Sequence, residues 1–252
     1  MIGELIQAEL EALRTTAQAT MLYGSYARGD HSCDSDIDVL QIVPTPRAFQ
    51  KIGSIGVSFY TARQLSKLAN QGSLFVLHLR KEGVVLYDPN EILRTALDSY
   101  VAPENYNELR AIISVSAAVL HLDRHSLSAQ QFSGVINLSL YLLRTVVYLR
   151  CVESGTPVFS LDKARAVLGD HPALVLLMNR RRMLEDPMSF PLIEVQKLLE
   201  SLLSSRIDAL GSKLEALAVN AASRSKQAGQ LITRILLGDS TVRYEVLVED
   251  EL

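Results

Sequence analysis

Two aspartates, Asp36 and Asp38, stand at the head of an apolar run, DIDVLQIV (36–43). On a strand, side chains at i and i+2 share a face and lie about 7 Å apart along the chain. Two carboxylates so placed can lean toward one point and offer hard oxygen ligands to divalent cations. Mg²⁺ is commonly held by one or two carboxylates plus the phosphate oxygens of a substrate, without a full protein cage. Two such ions about 4 Å apart stabilise both the attacking and the leaving oxygen of an in-line phosphoryl displacement. Acids in an otherwise apolar strand are costly unless something binds them.

The preceding loop, YGSYARGD (23–30), supplies what metals alone do not. Gly24 allows a tight turn and a close approach of backbone to ligand. Ser25 is expected as the N-cap of a short helix over 26–29, and Gly29 as its stop. Backbone N–H groups at such a helix start face an anion. Arg28, one turn beyond Ser25 on the same face, adds positive charge there or holds the loop by binding a nearby carboxylate. A Gly-Ser pair alone is a turn, and Asp-x-Asp alone is common in solvated loops. Together on a strand–turn–strand frame they read as a phosphate cradle followed by a metal clamp.

The surrounding elements must carry this frame. Apolar residues at helical spacing predict a helix over 2–17. ATMLYG (19–24), DIDVLQIV (36–43) and IGVSFYT (55–61) read as strands. A short helix follows, with Thr61 as N-cap and Gly72 just beyond its end. GSLFVLHLRKEG (72–83) fits helix or strand, and VVLYDPN (84–90) reads as a last short strand. After Asn90 strand signals stop. Helical periodicity runs over 104–122, 128–153, 161–182 with a break near His171-Pro172, and 191–236. Four or five helices of this kind pack as a bundle. The expected division is 1–93 for an α/β (α+β) domain, 94–238 for an all-α helical bundle, and 239–252 for a short edge strand with an acidic tail.

Composition narrows the setting. The chain has 252 residues, 48% hydrophobic and 21% charged, which suits a globular protein with a proper core. A net charge of −3 provides no global pull toward nucleic acid or an anionic membrane. Acids among the first eighteen residues argue against a signal peptide. Arg144 within the apolar run 132–149 argues for a buried bundle helix over a membrane span. The two cysteines, Cys33 and Cys151, make no metal spacing; free thiols in a reducing cytoplasm are the expectation.

Gly24, Ser25, Ala27, Arg28 and Gly29, then Ser35, Asp36, Asp38 and Val39, form G-S-x-A-R-G followed by S-D-x-D-V. In this the chain resembles the polymerase-β-like nucleotidyltransferase superfamily, and more closely its minimal and aminoglycoside-modifying branches. The likeness covers residues 18–90; the helical half is similar in architecture only. It implies a mixed sheet with flanking helices, often followed by a bundle that closes over the acceptor. It further implies transfer of a nucleoside monophosphate from an NTP, with ATP expected, to a hydroxyl on a small molecule or protein, releasing pyrophosphate. Asp36 and Asp38 would hold Mg²⁺, with Mn²⁺ as the alternative; Gly24, Ser25 and Arg28 would bind the phosphates.

One feature departs from that pattern. The superfamily usually carries a third carboxylate on the next strand, where SIGVSFYT (54–61) has Gly56 and Ser58, and no acid lies between Asp38 and Glu82. The base then comes from Asp30, Asp34, Glu82 or a bundle acid, or the site works with one well-held metal. The alternative class is a nucleotide-binding regulator with an impaired site, or a nucleotidylating antitoxin. A third class is an interaction protein that dimerises through the helical domain.

Weaker signals have ordinary readings. Tyr23 and Tyr26 could stack on a base or pack in the core. His78 fits a satisfied, half-buried histidine. Arg180, Arg181 and Arg182 suit a solvated helix end. Arg165 and His171 straddle a helix end at Gly169, so they do not share a helix face.

Overall fold

The computed structural model describes Leu13, residues 17–32 and residues 35–239, apart from the side chain of Arg182. The helix expected over 2–17 (Leu13 and Ala17 aside), the strand expected over 241–252, and Cys33 and Asp34 lie outside the described residues. The chain divides into two compact units, one through Glu104 and one from Asn105.

The first unit runs β1 (Ala19–Tyr23), α1 (Gly24–Arg28), β2 (Ile37–Ile42), β3 (Gln50–Ile52), β4 (Ile55–Tyr60), α2 (Ala62–Asn70), α3 (Leu74–Glu82), β5 (Val84–Tyr87) and α4 (Ile92–Asp98). The strands form one sheet in the order β3-β4-β2-β1-β5. Only β2 and β4 run parallel; the other neighbours are antiparallel, so the sheet is mixed.

Leu22, Ile37, Val39, Ile55, Val57 and Phe59 cluster in the core from β1, β2 and β4. On the opposite face Phe75 of α3 meets the rings of Tyr23 and Tyr60 at 5.7 and 5.6 Å. Both faces of the central strands are therefore covered, which is why their sequences are nearly continuous apolar runs. Along β2 a single residue is not buried, and it is Asp38.

Segment 72–83, open between helix and strand in sequence, is helical from Leu74. The Ser73 hydroxyl caps it by accepting the Phe75 N–H at 3.2 Å. Thr61 forms a complete capping box with Gln64: its hydroxyl accepts the Gln64 N–H at 3.2 Å, and its own N–H donates to Gln64 Oε1 at 2.8 Å. The short edge strand β3 and helix α4 are additions to the expected elements. α4 packs on α2 and so belongs to the first unit.

The described part of the second unit is helical: α5 (Asn107–Ser116), α6 (Ala129–Glu153), α7 (Leu161–Leu168), α8 (Pro172–Met178), α9 (Arg180–Glu185), α10 (Leu192–Leu203), α11 (Leu214–Arg224) and α12 (Lys226–Leu236), with short 3₁₀ turns. The run expected over 191–236 is three helices. Ser204 in the left-handed region (φ 56°) ends α10, and extended Ser225 ends α11 while its hydroxyl caps α12 through the Ala228 N–H. Helix α6 is the hub, packed by α8, α10 and α12. It is the one helix among the described residues long and apolar enough to cross a membrane, yet 78% of its apolar window is buried. Such burial marks a core helix.

Candidate functional site

Tyr23 ends β1 in extended conformation (φ −141°, ψ −176°), and Gly24 then turns the chain with φ +73°. Only glycine takes that left-handed conformation without strain. Helix α1 lasts five residues and closes in a Schellman arrangement: the Gly29 N–H reaches the Tyr26 carbonyl at 3.3 Å, and the Asp30 N–H reaches that of Ser25 at 3.1 Å. Gly29 has the left-handed φ, +77°, expected of such a stop. Ser25 is not the N-cap. Tyr23 holds that place without a side-chain bond, and Ser25 lies in the first turn. The glycine's backbone freedom, and not a hydroxyl cap, turns strand into helix here.

Asp38 sits in a row across the sheet. Its register partners are Tyr23 on β1 and Gly56 on β4, and Gly56 in turn pairs with Lys51 on β3. The Asp38 carboxylate lies against Gly24: a Cβ there would stand 2.5 Å from Oδ2, nearer than real Cβ contacts come. Its other oxygen, Oδ1, is 4.0 Å from the place of a Cβ on Gly56. The carboxylate thus occupies a slot that two glycines leave open, at the one point where β2 is not buried. Asp36 precedes the strand, is 60% exposed, and accepts a bond from Lys51 Nζ at 3.1 Å.

The slot bears on the missing acid. A Cβ at Gly56 would meet the Phe49 ring at 3.1 and 3.2 Å, so an aromatic ring crowds one of the two positions, Gly56 and Ser58, at which the third carboxylate was sought. The Ser58 hydroxyl is 3.4 Å from the Tyr23 hydroxyl. Among the described residues no three His, Cys, Asp or Glu side chains are grouped to hold a metal. The donor set, the Asp38 carboxylate against the glycine turn with the exposed Asp36 two residues before it, has the hard-oxygen chemistry that suits one Mg²⁺-like ion completed by phosphate oxygens. It does not make a two-ion cage.

Arg28 is committed to carboxylates. Its Nε reaches Asp30 Oδ2 at 2.9 Å and its Nη1 reaches Glu82 Oε2 at 3.0 Å, with Arg28 and Glu82 side chains each only 10% exposed. His78 Nε2 lies 3.2 Å from the same Glu82 oxygen, and its ring stands edge-on to Tyr23 at 6.0 Å. Burial alone would lower the Arg28 pKa, but Asp30 and Glu82 outweigh it and raise the value. Burial likewise pushes the Glu82 acid upward, while His78 and Arg28 more than offset it and hold it below the ordinary 4.5. An acid held ionised by two partners is a poor proton acceptor, which removes Glu82 as a base. This network ties the end of α1 to the end of α3.

Tyr26 stacks on His31 at 3.9 Å between centroids, 11° from parallel. In the second unit, Arg165 binds Asp170 at 2.5 Å, whereas His171 caps α8 through the Ala173 N–H. The two share no helix face, in agreement with their reading in sequence. Arg180 donates to the Leu177 carbonyl at 3.1 Å, a helix-end bond. Sequence reasoning missed Lys51 and Phe49. The signal was available: Gly53-Ser54 between QKI (50–52) and IGVSFY (55–60) is a two-residue hairpin turn.

Gly24→Ala is expected to destabilise the protein by about 1–3 kcal/mol, because alanine must take a left-handed φ and push on Asp38. Thermal melting checks this, with a fall of roughly 2–4 °C per kcal/mol in a chain of this size. The Glu82 network adds stability that is present above pH about 4.5 and lost as pH falls through the lowered folded value. Glu82→Gln should cost about 1–3 kcal/mol at neutral pH. It should also flatten the acid limb of a stability-against-pH curve measured by urea unfolding.

Among curated proteins, none matches this chain. Residues 8–102 match the model of the nucleotidyltransferase domain family. That segment contains the whole sheet, the glycine turn and both aspartates. The unit built around the Gly24–Asp38 contact is a nucleotidyltransferase domain, consistent with the polymerase-β-like nucleotidyltransferase superfamily.

Proposed function

We propose that the protein transfers a nucleoside monophosphate from an NTP to a hydroxyl on a small molecule or protein. The acceptor oxygen bonds to the α-phosphorus, the bond from that phosphorus to the β-bridging oxygen breaks, and pyrophosphate leaves. The acceptor's proton passes to solvent or to a carboxylate other than Asp30 and Glu82, since both of those are bonded to Arg28. The observation that carries this reading is the Asp38 carboxylate held against the Gly24 turn, where a bound triphosphate and a metal-binding acid would meet.

Asp38 and Asp36 would hold the divalent cation, Mg²⁺ or Mn²⁺. When bound it offsets the negative charge that develops on the leaving pyrophosphate. Gly24 lets the backbone approach the phosphates, and Ser25 offers its hydroxyl from the first turn of α1. Arg28 acts by holding that turn in place through Asp30 and Glu82. ATP is the proposed donor and the cytoplasm the proposed setting, and a homodimer through the helical unit is compatible with both. The covered position at Gly56 favours a second reading, a regulator that binds nucleotide without turnover.

Pyrophosphate release from ATP and Mg²⁺, run with a panel of hydroxyl acceptors, separates the two. Release by the wild type is expected, with Asp38→Asn slowing it at least a hundred-fold, or about 3 kcal/mol. Nucleotide binding by calorimetry with no release across the panel would establish the regulator instead.

A further inference from the structure

We propose that Lys51 is a cationic member of this site: it takes outer phosphate oxygens of the bound triphosphate, and the Asp36–Asp38 pair holds a single divalent cation. The inference rests on the nucleotidyltransferase reading and deepens it.

Four observations converge on Lys51. It belongs to the edge strand β3, whose residues are all exposed, and edge lysines commonly do no more than discourage strand pairing. Here, however, Lys51 pairs in register with Gly56, and Gly56 with Asp38, so the lysine lies in the row of the metal-binding acid. Its ammonium is on Asp36 Oδ1 at 3.1 Å, so the charge reaches the other acid of the pair. Finally, Phe49, two residues earlier, crowds Gly56, one of the two positions at which the third carboxylate was sought.

Charge bookkeeping gives the row its meaning. A third carboxylate together with a second divalent ion adds one net positive charge to such a site. One lysine adds the same. Lys51 therefore balances the triphosphate without the second ion, and its positive charge near the acids opposes the entry of another cation. An ammonium is a competent point-charge ligand for phosphate. Because Lys51 is 57% exposed and its tie to Asp36 is a surface ion pair, it can exchange that carboxylate for a phosphate oxygen at little cost.

The test compares wild type, Lys51→Met, Lys51→Arg and Asp38→Asn. It measures binding of a non-hydrolysable ATP analogue at fixed Mn²⁺, and counts Mn²⁺ ions per bound nucleotide by electron paramagnetic resonance. Wild type should bind one Mn²⁺ per nucleotide. Lys51→Met should weaken nucleotide binding roughly ten-fold, the worth of one charge-assisted hydrogen bond, and Lys51→Arg should recover most of it. Thermal melting of both variants checks folding, and Lys51→Arg carries the comparison if Lys51→Met melts early. Two Mn²⁺ ions per nucleotide in wild type, or Lys51→Met binding as wild type while Asp38→Asn does not, would overturn the role of Lys51 and leave the transferase reading standing. Failure of wild type to bind the analogue at all would overturn both.

Discussion

The first unit depends on one close approach: the Asp38 carboxylate against the backbone of Gly24. A carboxylate on a strand otherwise buried on both faces is unfavourable unless charge and hydrogen bonding meet it. The sheet gives the acid room by leaving a slot at the one point where β2 is not buried. Gly24 on one side and Gly56 on the other carry no Cβ, and the acid occupies the space. The same glycine that makes room for the acid also takes the left-handed turn that starts α1. The glycine turn and the Asp38 carboxylate are therefore not two motifs that happen to be near each other. They are one steric arrangement, and neither half keeps its geometry if Gly24 gains a side chain.

A slot of this kind has to be held rigid, and the Arg28 network does so. Arg28 ties the last turn of α1 to Glu82 at the end of α3, and His78 of the same helix approaches the same carboxylate oxygen. Tyr23, which immediately precedes Gly24, is packed between Phe75 and His78 of α3. Strand end, turn and short helix are thus fixed from one side by a single helix, through an ion pair and two ring contacts. A turn made at the single residue Gly24 would otherwise need only small φ/ψ changes to move the N–H groups of the short helix by an ångström. The buried guanidinium is better explained as this brace than as a phosphate ligand, because both of its donor edges already face carboxylates.

Much of this was legible in the sequence, and the reasons differ by element. Strands β1, β2 and β4 are short apolar runs bounded by glycine and proline, a strong signal when both faces are covered. The pairing of Gly24 with Asp38 was visible as a motif, but the steric reason for it was not, because register sets which residue of β2 faces the turn. Ser25 was misassigned as a cap because serine's cap preference was weighed above the φ freedom of the glycine before it. Helix α3 was ambiguous because LFVLHL has no amphipathic period, being buried on nearly every side; the Ser73 cap decides it. The segment 191–236 carried helical period throughout, and single breaks at Ser204 and Ser225 are too local to interrupt a pattern read over many residues.

The absent third acid illustrates how composition and packing answer one another. Read along the chain, the stretch from Val39 to Lys81 without an Asp or Glu is simply a lack. In the sheet it becomes a substitution of one solution for another. The Phe49 ring lies over Gly56, so any side chain there would have to displace it by a few tenths of an ångström. Two residues on, Lys51 reaches toward the acids and contributes the sign of charge that a further cation would have brought. A hydrophobic cover and an ammonium thus arrive two residues apart, Phe49 just before the edge strand and Lys51 on it, and on the proposed reading the lysine supplies the charge that a second cation would otherwise bring.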